Sequence, residues 1–180
     1  MAAVLGSGQI LCIVGARPNF MKIAPIMRAF AQPDSPLSAR LLHTGQHYDA
    51  TMKHAFFEQL HIPEPDVDLE VGSGTHAQQT ADIMKSFEPV LDEEPPLAVL
   101  VVGDVNSTIA CALVAVKKNI PVIHVEAGLR SGDRTMPEEI NRILTDQLSE
   151  LLFITEASAL DNLTREGIAA HRVHFVGNVM

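Results

Sequence analysis

Seven short apolar runs recur along the chain, and several of them are unbroken rather than alternating. They are QILCIVG (9–15), ARLLHTG (39–45), VDLEV (67–71), LAVLVVG (97–103), IPVIHVEA (120–127), LLFITE (151–156) and RVHFVGN (172–178). A strand with one wet face alternates apolar and polar residues, whereas a strand covered on both faces has no polar side to present. Helical patterns separate most of the runs. Residues 107–118, STIACALVAVKK, stay almost wholly apolar until Lys117 and Lys118, which fall where the helix dipole favours cations. Thr75 followed by Gln78 reads as a capping box opening a helix that extends to about Leu91. Strand, helix and strand in repetition specify an α/β fold, a parallel sheet with helices on both faces. Such sheets bind ligands beyond the carboxyl ends of their strands, so the strand ends are where functional residues are sought.

A chain of 180 residues can build one domain with a full core, and an apolar fraction of 47% excludes disorder. One Tyr and no Trp argue against recognition by aromatic stacking. A net charge of -9, from 13 Lys and Arg against 22 Asp and Glu, argues against nucleic acid or an anionic membrane as partner. A phosphorylated ligand stays compatible, because a few placed cations suffice. Cys12 and Cys111 are expected to be buried free thiols, as in a cytosolic protein. The opening MAAVLGSGQILCIVGARP has no basic leader before its apolar part, so no signal peptide is predicted. No apolar run reaches membrane-span length.

After the first strand stands GARPNFMK. Gly15 permits a tight turn and Pro18 suits a first helical turn. Neither a dinucleotide fingerprint nor a Walker loop is present, since GSG at 6–8 precedes the strand. Arg17 and Lys22 read either as cations for a phosphate at the helix entrance or as a solvated helix start. After the second strand, TGQHYD offers Gln46 and His47, which read equally as loop residues. After the fourth, Asp104 in DVNST reads either as a turn residue or as a carboxylate at the ligand crevice, with Asn106 or Ser107 capping the next helix.

The densest stretch is HVEAGLRSGDRTMPEEINR, residues 124–142. It delivers Glu126 to a strand end, turns at Gly128 and Gly132, and enters a helix through Pro137. Glu138 and Glu139 suit the acidic first turn of that helix, and Glu138 with Arg142 has the spacing of an ion pair. That pairing leaves Glu126 and Arg130 without a structural reason. Carboxylates brought from a strand end and a helix start can divide the roles of proton donor and acceptor. His171 and His174 are separated by two residues, without nearby carboxylates, and no metal site is expected.

GARPNFMKIAP, TGQHYD, VVGDVNST, HVEAGLRSGDRTMPEEINR, TE at 155–156 and VGNVM closely resemble the UDP-N-acetylglucosamine 2-epimerase family, in order and across essentially the whole chain. The resemblance implies the N-terminal, Rossmann-like half (1–180) of a two-domain glycosyltransferase-B-type architecture, with a C-terminal UDP-binding domain outside this chain. It implies interconversion of UDP-GlcNAc and UDP-ManNAc in the full-length protein, by elimination of UDP to 2-acetamidoglucal and re-addition. It implies Asp104, Glu126 and Glu138 as the catalytic acidic groups, and Arg17, Lys22 and Arg142 as substrate-binding cations. It places Gln46 and His47 where bacterial relatives contact a second, activating UDP-GlcNAc. Such chemistry needs neither cofactor nor metal, and the full-length protein is expected to be a cytoplasmic homodimer serving cell-surface polysaccharide synthesis. A hydrolysing epimerase releasing ManNAc and UDP, or a non-catalytic nucleotide-sugar-binding domain, would share these motifs. The link GDRTMP (132–137) is shorter than in some bacterial members.

Overall fold

The computed structural model describes residues 8–45, 60 and 62–178. Within them the elements run β1 (Gln9–Val14), α1 (Arg17–Phe30), β2 (Ser38–His43), β3 (Val67–Asp68), α2 (His76–Glu93), β4 (Ala98–Val102), α3 (Asn106–Lys117), β5 (Val122–Val125), α4 (Pro137–Leu148), β6 (Leu151–Ile154), α5 (Ser158–Arg165), a 3-10 turn (Ala170–Arg172) and β7 (Val173–Phe175). The strands form one sheet in the order β3-β2-β1-β4-β5-β6-β7, and every pair is parallel. The order reverses between β1 and β4. There the chain leaves β1 for α1 on one face and β4 for α3 on the other, the arrangement that places ligand sites at the carboxyl edge of such sheets.

The unbroken apolar runs follow from burial on both faces. Leu11 and Ile13 of β1 point with Val99 and Val101 of β4 into a core completed by Ile83, Phe87 and Leu91 of α2 and by the alanines of α3. Ile10, Cys12 and Val14 point the other way, with Leu100 and Val102, onto Phe20, Ile23, Ala24 and Met27 of α1. A third cluster seats Ala159 and Leu163 of α5 on Leu152 and Ile154 of β6. Thr75 caps α2 as its spacing predicts: its hydroxyl accepts from the Gln78 amide at 3.2 Å and the Gln78 side chain accepts from the Thr75 amide at 3.2 Å. Both cysteines are buried free thiols, and burial pushes Cys12 up to about 12 and raises Cys111 as well. Neither is a nucleophile.

Several strands end earlier than the apolar runs. Leu69 and Val71 still donate to His43 and Thr44, but Glu70 between them is left-handed (φ 53), so β3 keeps only two ladder residues. Left-handed Glu126 (φ 69) stops β5 at Val125, and Gly177 (φ 73) lies two residues beyond the end of β7. The cap of α3 also differs from expectation. Val105 occupies the cap position without a side-chain bond. Asn106 instead donates to Gln79 Oε1 at 2.7 Å, and the Ser107 hydroxyl shares a 2.7 Å bond with Thr44.

That last bond explains Gly15. A Cβ there would stand 2.1 Å from Ser107 Oγ and 2.6 Å from Thr44 Oγ1. The residue is small because α3 begins against the end of β1, and not because the turn needs a left-handed backbone. Gly15→Ala is expected to lose about 1–3 kcal/mol by overpacking, read as a lower urea midpoint at unchanged m.

Candidate active site at the carboxyl edge

The site grows from three strand ends. At β1, the amide of Ala16 donates to Asn19 Oδ1 at 3.1 Å, and Asn19 Nδ2 donates to the Val102 carbonyl at 2.8 Å. Buried Asn19 thereby ties the start of α1 to the end of β4. Arg17 is the exposed first residue of α1, and Lys22 lies one turn further along it.

At β4 the chain turns through left-handed Gly103 (φ +70) into Asp104. A Cβ on Gly103 would stand 3.4 Å from Asn19 Nδ2, 3.5 Å from Glu126 Oε2 and 3.7 Å from Lys22 Nζ. The bare backbone here lets side chains from α1 and from the end of β5 crowd one point at the end of β4. Lys22 and Glu126 form an ion pair at that point, with both side chains four-fifths or more buried.

At β5 the site asks for strain. A left-handed residue with a side chain costs of order 1–3 kcal/mol and persists only when its surroundings over-determine it. Glu126 meets that condition. Its own amide and that of Ala127 both donate to the Phe153 carbonyl, at 3.0 and 3.1 Å, and the Gly128 amide donates to Asp146 Oδ2 at 3.0 Å. The result throws the Glu126 carboxylate off the sheet and onto Lys22.

Helix α4 closes the site. Arg142 pairs with Asp104 at 2.5 Å and with Glu139 at 3.0 Å. Asn141 donates to the Asp104 carbonyl at 2.9 Å, so the Asp104 turn is held through both backbone and side chain. The expected Glu138–Arg142 pair is absent. Glu138 is half-buried in the first turn and has no hydrogen-bond partner among the described residues. Arg142 reaches its other neighbours because Glu139, one residue on, is anchored beneath it and Asp104 arrives from β4.

Glu139 is the buried acid of the stretch. It accepts from the amides of Ser131 and Gly132 at 3.0 and 2.9 Å, as well as from Arg142. Burial alone would raise its pKa, but the two amides and the guanidinium overcome burial and lower it from the ordinary 4.5 to about 2. A depressed carboxylate contributes stability that is whole above 4.5 and is lost as pH falls through 2. Acid titration of the unfolding midpoint should therefore be steeper between pH 4.5 and 2 in the unsubstituted chain than in Glu139→Gln.

Arg130, left without a reason by the sequence, pairs with Asp146 at 2.7 Å and forks onto Glu166 at 2.8 and 2.5 Å. It is structural, joining α4 to the end of α5. The residues that sequence reasoning did not single out are Asn19, Asn141, His124 and Asp146. Their partners lie 83, 37, 21 and 18 positions away, beyond any local pattern. Gln46 and His47 lie outside the described residues. No described helix is long and apolar enough to cross a membrane.

The geometry therefore offers two carboxylates, Glu126 and Asp104, each paired with a cation, at the carboxyl edge of a parallel sheet, with Glu138 in the first turn of α4 unpaired among the described residues. Such a set can move protons and can receive a negatively charged leaving group. The family model described as UDP-N-acetylglucosamine 2-epimerase matches residues 31–180. The chain is 49% identical over 174 residues to the UDP-2,3-diacetamido-2,3-dideoxy-D-glucuronate 2-epimerase of Pseudomonas aeruginosa, covering 96% of this chain and 49% of that protein. It is 48% identical over 172 residues to the UDP-N-acetylglucosamine 2-epimerase of Methanocaldococcus jannaschii, covering 96% and 46%. The crystal structure of the latter enzyme in complex with UDP-GlcNAc and UDP superposes with a TM-score of 0.90 at 47% identity, over 94% of this chain and 46% of that one. A lipopolysaccharide outer core galactosyltransferase, 12% identical with a TM-score of 0.67, shares the fold alone. The chain spans about half the length of the curated relatives it matches. Its Rossmann-like α/β sheet resembles the N-terminal halves of those longer, glycosyltransferase-B-type epimerase chains. By its sequence and its fold, the chain belongs to the UDP-N-acetylglucosamine 2-epimerase family.

Proposed function

We propose that the chain is the N-terminal domain of an enzyme that interconverts UDP-GlcNAc and UDP-ManNAc, with a second, UDP-binding domain completing the cleft. The observation that carries this reading is the pair of ion pairs at the switch point, Lys22–Glu126 and Asp104–Arg142. The proton on carbon 2 is not acidic, so simple deprotonation is too slow. When the bond from the anomeric carbon to the UDP oxygen lengthens, positive charge develops on the sugar and acidifies that proton. A carboxylate takes the proton, the electron pair of the C–H bond forms the C1–C2 double bond, and UDP leaves with the bonding pair. Return of a proton to the other face of carbon 2, with UDP adding back to carbon 1, inverts the centre.

Asp104, Glu126 and Glu138 supply the acid and base groups in this reading. Arg17, Lys22 and Arg142 stabilise the departing pyrophosphate or hold the acids in place. Arg142 orients Asp104 and Glu139 rather than Glu138. Gln46 and His47 would serve a second, activating UDP-GlcNAc. The full-length enzyme would be a homodimer.

Incubation of the full-length protein with UDP-GlcNAc in deuterated water, followed by NMR, tests the reading. UDP-ManNAc with deuterium at carbon 2 is the expected product. Free ManNAc with UDP would indicate the hydrolysing reaction, and no turnover would overturn the enzyme reading for this sugar. The 49% identity to the Pseudomonas aeruginosa enzyme favours a second substrate reading, UDP-2,3-diacetamido-2,3-dideoxy-D-glucuronate, and the same assay with that sugar decides between them. The 180-residue chain by itself is expected to show no turnover above a contaminant control, because positioning and desolvation require a substrate enclosed from both sides.

A further inference from the structure

We propose that His124 is a positioning residue that locks the Asp104 and Glu126 turns to one another and to α4. Its kinetic consequence rests on the epimerase reading; its structural consequence does not. His124 lies in β5 with its side chain wholly buried, and nothing in the proton-transfer scheme uses it. Its Nε2 donates to the Gly103 carbonyl at 2.8 Å, one residue before Asp104. Its Nδ1 faces Asp146 Oδ1 at 2.6 Å. The other oxygen of Asp146 accepts from the Gly128 amide at 3.0 Å, two residues after Glu126, and from Arg130 at 2.7 Å. Burial opposes ionisation of Asp146, but the neighbouring His124 and Arg130 keep its pKa low.

A continuous line of bonds thus runs from Gly103 through His124 and Asp146 to Gly128. Both glycines are left-handed, with φ +70 and +77, so each marks a sharp turn. Asp146 sits in α4, the helix that also carries Asn141 and Arg142 onto Asp104. One fully buried imidazole therefore sets the relative placement of the two turns that bear the acids. A displacement of about 1 Å in such a group can cost on the order of 10²-fold in rate.

Two substitutions separate positioning from space filling. His124→Gln can carry an amide donor to the place of Nε2 and keep the Gly103 bond. His124→Asn is too short to do so and keeps only the Asp146 side. In the full-length protein, His124→Asn is expected to lose about 10²-fold in kcat with KM within about twofold, while His124→Gln loses less than about tenfold. In amide correlation spectra of the 180-residue chain, Asn should displace the Asp104 resonance and Gln should leave it near its place. Equal kcat losses in the two variants, a change confined to KM or to the thermal midpoint, or an unmoved Asp104 amide in the Asn variant would overturn the proposal. If the unsubstituted full-length protein turns over no sugar, the epimerase reading falls and the amide comparison alone decides. If the Asn variant does not fold, His124→Gln carries the test, and either a kcat loss above about tenfold or a displaced Asp104 amide overturns it.

Discussion

Glu126→Gln in the full-length protein is expected to lower turnover of UDP-GlcNAc by about 10²- to 10⁴-fold, the range for removal of a general acid or base. Gln has the size of Glu and can still accept a hydrogen bond from Lys22, but it cannot take up or return a proton as a carboxylate does. The strained backbone at residue 126 is held by bonds from main-chain amides, at Glu126, Ala127 and Gly128, so the substitution leaves those anchors in place. The fold should survive. Two measurements accompany kcat: the thermal midpoint, and the incorporation of solvent deuterium at carbon 2. Loss of exchange in a stable protein assigns Glu126 to proton transfer. Near-normal turnover and exchange in a stable Gln variant would remove Glu126 from the catalytic groups and leave Asp104 and Glu138.

Asp146→Ala is expected to cost about 3–5 kcal/mol of stability, the usual penalty for removing one partner of a buried ion pair. The Asp146 side chain is wholly buried, and so is His124 beside it. Three donors converge on its two oxygens: His124, the Gly128 amide and Arg130. Ala leaves all three without that acceptor in a space no solvent reaches. Arg130 retains Glu166, so most of the cost should fall on His124 and on the Gly128 turn. Asp146→Asn keeps the volume and one acceptor and should lose less. Urea unfolding of the three proteins measures the difference, provided m stays constant. A loss below about 1 kcal/mol for Ala, the range of exposed ion pairs, would mean that the buried network relaxes onto other partners.

The sheet and its helices are legible in the residue order alone. A strand covered on both faces must be apolar at every position, and that requirement is written residue by residue in runs such as LAVLVVG. Local chemistry was legible for the same reason. The Thr75–Gln78 capping box and the entry of α4 at Pro137 depend on neighbours three or four positions away, and both stand where the spacing puts them. The strand-end rule located Asp104 and Glu126, because a parallel sheet sends every strand's carboxyl end to the same edge.

Tertiary structure decided the partners. On a helix, Arg142 can reach position 138 or 139 with nearly equal ease. Glu139 prevails because the amides of Ser131 and Gly132 fix it from a loop, and Asp104 arrives from another strand altogether. Lys22 and Glu126 are 104 residues apart, so no local spacing announces their pairing. His124 reads as one polar interruption in an apolar strand, and Asp146 as one acid on a mixed helix. Only packing α4 against the strand ends buries both and turns them into a single network. Short-range patterns set where each element starts and what it buries. Which charges meet depends on contacts across the sheet, and those exist only once the chain has closed.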